Sequence, residues 1–345
     1  MSVSFPIPWI SVTATVAASL AGDAPWIVMK SGGTSVANAA SWSRIRSLME
    51  SRRREGGRVL VVVSAVSGVT DALRQLGKCA ERGDREAAAA AIARRHRELL
   101  QAMQLAEPAG LTSLLAELAE LAAVGCQAAE ARAYQARTQA FGELLSSTLG
   151  AAFLDANGWP TRWLDAREHL CATALPNQNL RTRMLSAMVA PVPDPALAAQ
   201  LAALGDVFIT QGFIARDGDG HTVLLGRGGS DTSAACFGAL LGAQRVEIWT
   251  DVAGMFTANP RQVPGARLLQ RLDYEEAQEI ASTGAKVLHP HCLQPLREPR
   301  VPLLIKDTNR PELDGTVIGP EVRTHAPSVK AISARKGITL VSMES

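Results

Sequence analysis

At 345 residues, with 47% hydrophobic and 20% charged side chains, the chain can bury one large core or two ordinary ones, which argues against collagen-like, disordered and disulfide-scaffold classes. Thirty-five Lys and Arg against 33 Asp and Glu leave a net charge of +2, too small a basic excess for a dedicated nucleic-acid binder. The five scattered cysteines, Cys79, Cys126, Cys171, Cys236 and Cys292, contain no Cys-x-x-Cys pair, so they suit a reducing cytosol rather than a disulfide framework or a zinc site.

In chain order, residues 1–24 come first and read as an N-terminal extension. Their first 22 residues hold no Lys or Arg, whereas a secretory signal opens with positive charge, and Pro6 and Pro8 interrupt them. Trp26 to Met29 then reads as a buried strand running into Lys30-Ser31-Gly32-Gly33-Thr34-Ser35, with a helical pattern through Trp42, Ile45 and Leu48. Val59 to Val63 is a continuous apolar run, the mark of a strand covered on both faces, and it ends in the small polar turn Ser64 to Thr70. This strand-turn-helix rhythm predicts α/β construction.

From Asp84 to about Ala156 good helix formers dominate, broken near Pro108-Ala109-Gly110, with Leu111, Leu114, Leu115, Leu118 and Leu121 at helical spacing. Further strands are expected at Arg162 to Leu164, Val207 to Thr210, Thr222 to Leu225, Val246 to Trp249, Leu303 to Ile305 and Gly337 to Val341. Pro191 to Pro195 reads as a surface connection. No internal repeat is present, and no segment reaches the roughly 18 consecutive apolar residues of a membrane span.

Two glycine-rich turns follow strands: Lys30 to Ser35, and Gly226-Arg227-Gly228-Gly229-Ser230-Asp231-Thr232-Ser233. Either alone fits an ordinary tight βα turn. Together, with a cation in each, they point to phosphate binding by backbone N–H groups at helix N-termini. A P-loop fails because Gly77-Lys78 is followed by Cys79, and a dinucleotide fingerprint fails because Asp231 stands where its last glycine would be. Glu143, taken alone, reads as an exposed helix acid. Trp249 to Arg261 gathers an aromatic, a carboxylate and a guanidinium after a strand, as a nucleotide pocket requires. His289-Pro290-His291 does not put both imidazoles on one helical face, so no metal ligands are assigned.

As an ordered set, Lys30 to Val36, Gly142 to Ser147, Gly226 to Ala235, Thr250 to Arg261 and Gly284 to Pro290 resemble the aspartate kinases of the amino-acid kinase superfamily. The resemblance spans nearly all of residues 26–320. It implies a three-layer α/β/α sandwich on a mainly parallel sheet and a cytoplasmic, homodimeric enzyme with no nucleic-acid or membrane partner. The implied reaction is phosphorylation of the side-chain carboxylate of L-aspartate by ATP with Mg²⁺, the entry to lysine, threonine and methionine synthesis. A catalytic domain over 25–322 is implied, with an aspartate-binding lobe of about 25–200 and an ATP-binding lobe of about 201–322. By the same resemblance Lys30 and Asp231 are catalytic, and Ser64, Thr70, Glu143, Arg227 and Ser230 bind the amino acid. Gly32, Gly33, Thr250, Asp251, Phe256, Arg261 and Lys286 bind ATP. The alternatives are a glutamate or N-acetylglutamate kinase of the same fold, or a non-catalytic nucleotide-binding module.

The chain departs from the family pattern in places. Ser31 stands where the family usually has an aromatic, Phe256 where it has tyrosine, and Asn259 where it has aspartate. Family members continue into regulatory ACT domains, and 323–345 reads as the start of a truncated ACT-like segment. A kinase part severed from a fusion with diaminopimelate decarboxylase is one way to such a sequence.

Overall fold

The computed structural model describes residues 24–174, 176–283, 287–320 and 329–334. The expected strand at Gly337 to Val341, Lys286, and nearly all of the N-terminal extension lie outside the described residues. Among the described residues ten strands form: β1 (Trp26–Ser31), β2 (Arg58–Val63), β3 (Arg162–Leu164), β4 (Val207–Gln211), β5 (Ile214–Arg216), β6 (Thr222–Leu224), β7 (Arg245–Thr250), β8 (Arg271–Leu272), β9 (Leu303–Asp307) and β10 (Thr316–Ile318). Eight of them make one sheet in the order β3-β4-β2-β1-β7-β9-β10-β8, while β5 and β6 form a separate hairpin. Every pairing in the large sheet is parallel except β9 with β10.

The burial pattern explains this order. All six residues of β2 and all five of β4 are buried, as befits central strands covered by helices on both faces. One apolar core contains Val28, Leu60, Phe208 and Val246; the other contains Ile27, Val59, Ile209 and Trp249. Alternate residues of one strand thus enter opposite cores, giving the expected three-layer sandwich.

The first helix, Ala39–Arg54, is capped by Asn38, whose side chain accepts from the Ser41 N–H at 2.9 Å, and it ends in Arg52, Arg53 and Arg54, which suit the negative end of the helix dipole. The alanine-rich stretch divides into Arg82–Ala102, Ala109–Val124 and Ala131–Ala156. Its second break, at Gly125 (φ 70°), was not expected from the sequence. Leu111, Leu115, Leu118 and Leu121 are buried on one face of the middle helix.

Helix Ala131–Ala156 crosses the sheet at very close range. A Cβ on Gly150 would lie 2.1 Å from the ring of Trp42 and 2.6 Å from Ile209, and Trp42 itself is fully buried with its indole N–H donated to the Val36 carbonyl at 3.1 Å. Neither neighbour has room to yield. Gly150→Ala is expected to destabilise the chain by about 1–3 kcal/mol, despite the better helix propensity of alanine. A urea unfolding midpoint equal to the wild-type value would contradict this packing.

Candidate active site

The parallel strands end along one edge, and their turns are hydrogen-bonded to each other there. Ser64 N–H donates to the Ser31 carbonyl at 3.1 Å, Ser67 N–H to Gly33 at 3.1 Å, and Gly212 N–H to Val63 at 2.8 Å. A Cβ on Gly33 would sit 2.7 Å from the Ala65 carbonyl, so the turns after β1 and β2 can meet only with glycine there. Gly212, just beyond β4, leaves comparable room for Ser230.

The second glycine turn opens helix Gly229–Leu240 directly. Gly228 lies at φ 67° with no side-chain cap, and a Cβ there would fall 2.2 Å from that of His289. Gly228 and the first residues of this helix, Gly229, Ser230 and Asp231, line one common space with the turns after β1 and β2. The first glycine turn differs from the sequence reading: five residues separate Gly33 from helix Ala39–Arg54, and Asn38 already caps that helix. Around Gly32 and Gly33, anion-binding donors can come from the turn itself and not from a helix end.

These turns surround a cleft of about 770 Å³. Both cationic turns contribute to it: Lys30 and Gly33 from the first, Arg227, Ser230 and Asp231 from the second. Ser64, Thr70 and Glu143 line it as well, so the whole expected catalytic and amino-acid set shares one space. Lys30 Nζ lies 2.6 Å from Asp231 Oδ1, each side chain being 13% exposed. β1 lies between β2 and β7, so the lysine stands on the most constrained part of the scaffold.

Glu143 corrects the view of it as an exposed helix acid, for it is buried at 3% exposure in the middle of helix Ala131–Ala156. Burial raises its carboxyl from the usual 4.5 to about 8, opposed by the N–H of Ala65 and its own N–H. One carboxylate oxygen, Oε2, has no hydrogen-bond partner among the described residues. A buried carboxylate beside a polar cleft with an unused acceptor is built to receive a cationic donor.

Of the expected nucleotide-side residues, Gly33 lines this cleft, whereas Thr250, Asp251, Phe256 and Arg261 do not. Thr250 ends β7, directly beyond the pairing of Ser31 with Trp249, and its carbonyl accepts from Thr308 N–H at 2.8 Å. Asp251 is exposed beside it, Phe256 is half-buried and bridges to Leu268, and Arg261 is exposed with its N–H bonded to Asn259 Oδ1 at 3.0 Å. Asn259 thus serves its own turn. Gly32 stays with the lysine, since a Cβ there would be 3.7 Å from Lys30 Nζ. Ser31, where the family pattern has an aromatic, is almost fully buried.

Several cleft residues escaped sequence reasoning: Arg74, Lys78, Arg132, Gln139, Arg181 and Ser186. Each is an ordinary helix or loop residue locally, and only the assembled fold turns it toward the space. Also outside the sequence reading, Asp217, Asp219 and His221 approach one another beyond β5, away from the cleft, with Arg183 3.6 Å from both carboxylates. No helix among the described residues is long and apolar enough to cross a membrane.

Comparison with known proteins agrees with this geometry. The model of the amino acid kinase family matches residues 25–307. An aspartokinase of Chlamydia trachomatis is 34% identical over 325 residues, covering 92% of this chain and 70% of the relative. A bifunctional aspartokinase/homoserine dehydrogenase of Haemophilus influenzae is 38% identical over 192 residues, covering 56% of this chain and 23% of that longer protein. The crystal structure of Escherichia coli aspartokinase III in complex with aspartate and ADP superposes with a TM-score of 0.71 at 33% identity, covering 86% of this chain and 65% of that one. The chain therefore spans between 23% and 70% of the length of these relatives. With both glycine turns on one strand edge and a family match over most of its length, the chain belongs to the amino acid kinase family, among the aspartokinases.

Proposed function

We propose that this chain transfers the γ-phosphoryl group of ATP to the side-chain carboxylate of L-aspartate. The observation that carries the reading is the meeting of Lys30, Asp231, Arg227 and the buried, half-partnered Glu143 in one cleft. The complex of the E. coli relative with aspartate and ADP supports it.

The attacking carboxylate has a free pKa of about 3.9 and is ionised at neutral pH, so no general base is needed. One carboxylate oxygen forms a bond to the γ-phosphorus, the bond from that phosphorus to the bridging oxygen breaks, and ADP leaves with the electron pair. The barrier is repulsion between two anions. Positioning and preorganised positive charge must overcome it. Lys30 would sit on the transferring oxygens, held by Asp231, while the N–H groups of Gly32 and Gly33 add donors. Glu143 would take the substrate ammonium and Arg227 its α-carboxylate, with Ser64, Thr70 and Ser230 supplying hydroxyls. Thr250, Asp251, Phe256, Arg261 and Lys286 would hold the nucleotide along the adjoining edge.

For Mg²⁺ the fit is indirect. Among the described residues the cleft gathers no group of three ligating side chains, and Asp231 is committed to Lys30. The ion would be carried by the nucleotide phosphates and water, which Mg²⁺ accepts, and would neutralise phosphate charge there. In this reading the walls of the cleft come from an aspartate lobe of about 25–200 and a nucleotide lobe of about 201–322. A cytoplasmic homodimer and an ACT-like start over 323–345 rest on the family resemblance alone.

Steady-state ADP release with aspartate, glutamate and N-acetylglutamate tests the reading, and only aspartate should support turnover. Arg227→Ala is expected to raise the aspartate KM by about tenfold or more with the ATP KM little changed, because a charged hydrogen bond to substrate is lost. A change confined to the ATP KM would remove Arg227 from the amino-acid side.

A further inference from the structure

We infer that Lys78, Arg132 and Arg181 form an anion-recruiting rim that draws the dicarboxylate amino acid into the cleft. The inference rests on the aspartate reading of that cleft and adds residues to it. The chain as a whole is almost balanced in charge at +2, yet the cleft is not. Its lining cations, Lys30, Arg74, Lys78, Arg132, Arg181 and Arg227, outnumber the lining carboxylates Asp71, Glu143 and Asp231 two to one.

Some of these charges are already neutralised. Lys30 is paired with Asp231 at 2.6 Å and Arg74 with Asp71 at 2.5 Å, while burial favours the neutral form of Glu143. Lys78, Arg132 and Arg181, like the substrate-side Arg227, are exposed, and none is in a salt bridge among the described residues. They come from three separate elements: the turn after helix Val69–Leu76, the start of helix Ala131–Ala156, and the short helix Leu180–Leu185. Arg132 makes one hydrogen bond, 3.3 Å to Gln135, itself a cleft residue.

Local stability does not account for Arg132. It is the second residue of a 26-residue helix, where the macrodipole disfavours a cation, and the acid at the N-cap, Glu130, makes no salt bridge with it among the described residues. A residue that conflicts with its own helix yet faces a functional cleft is explained by what enters the cleft. Cations converging on a concave surface raise the local concentration of small anions, an effect screened by salt over a Debye length of about 10 Å at 0.1 M. The rim stands with Thr70, Gln139, Glu143 and Ser186, whereas Thr250 to Arg261 do not line this space. Its effect should therefore fall on the amino acid rather than on ATP.

The test is a charge-neutralised variant, Lys78→Met with Arg132→Gln and Arg181→Gln, assayed by ADP release over a range of NaCl. At low ionic strength the aspartate KM should rise about five- to tenfold, with kcat and the ATP KM within about twofold of wild type. Near 1 M NaCl the gap should shrink below about twofold. A variant with Arg54, Arg94 and Arg271 changed to Gln removes the same net charge away from the cleft and should leave the aspartate KM and its salt dependence unchanged. The three single substitutions, each raising the KM about twofold, keep the test decisive should the triple variant fail to fold. An aspartate KM and salt slope equal to wild type, a change carried by ATP instead, or an equal change in the control variant would overturn the rim. Absence of aspartate-dependent turnover in the wild-type chain is a separate result, and it would overturn the aspartate reading and the rim with it.

Discussion

Replacing Lys30 with alanine is expected to lower turnover by at least about a hundredfold. The lysine is the cation on the central strand at the junction of both glycine turns, and Asp231 holds it at 2.6 Å before any substrate arrives. One preorganised charge donor of this kind contributes roughly 3–4 kcal/mol to the transition state. Part of the loss could be structural, because the alanine leaves Asp231 without its partner in a largely buried position. Lys30→Ala with Asp231→Ala separates the two effects: thermal stability should recover toward wild type, and turnover should not. A Lys30→Ala protein within about threefold of wild-type kcat would remove the lysine from the chemistry.

Glu143→Gln should produce opposite effects on binding and stability. With the carboxylate gone, the substrate ammonium loses a charged partner, and the aspartate KM should rise at least about thirtyfold, corresponding to roughly 2 kcal/mol. Stability moves the other way. The folded-state pKa of about 8 lies above the usual 4.5, so between these values the folded chain binds a proton that the unfolded chain has released. Stability therefore declines as pH rises through this window, and the loss is complete above about 8. The glutamine variant carries no such titration, so at pH of about 8.5 its melting temperature should exceed that of wild type, the difference fading toward pH 5. The same linkage makes aspartate binding to wild type release a proton near pH 7, because the incoming ammonium restores the ionised form. Calorimetry in buffers of different ionisation enthalpy reads that proton directly. Binding without proton release, or a variant no more stable at alkaline pH, would contradict this role for Glu143.

Much of the scaffold is legible in the chain because the central strands are rich in apolar residues and end in polar or glycine-rich turns. β1, β2, β4, β7 and β9 all carry that signal, and so does the break near Pro108. β5, β8 and β10 have only two or three residues each and, unlike the equally short β3 and β6, were not read from the chain, and the antiparallel pairing of β10 with β9 is not encoded in its three residues. Helix Pro195–Leu204 was hidden behind a proline-rich run, although Asp194 caps it and Pro195 occupies its first turn, a start signal that could have been read.

The site divides along the same line. Lys30, Arg227 and Asp231 announce themselves because glycines flank them. Glu143 sits in a helix whose local pattern cannot distinguish an exposed acid from a buried one, since only the turn after β2, packed across it, removes it from water. Lys78, Arg132 and Arg181 are scattered over about a hundred residues of helical sequence and become a group only when three elements converge. The Asn38 cap shows the reverse case: a legible local signal that moves a helix end away from a turn expected to use it.

The most direct test of the central claim is chemical trapping of the product. An acyl phosphate reacts with hydroxylamine to give a hydroxamate, whereas ATP hydrolysis gives none. Incubated with Mg·ATP, L-aspartate and hydroxylamine, the chain should form aspartyl hydroxamate in step with ADP. ADP release without hydroxamate, or hydroxamate from glutamate and not from aspartate, would contradict the account.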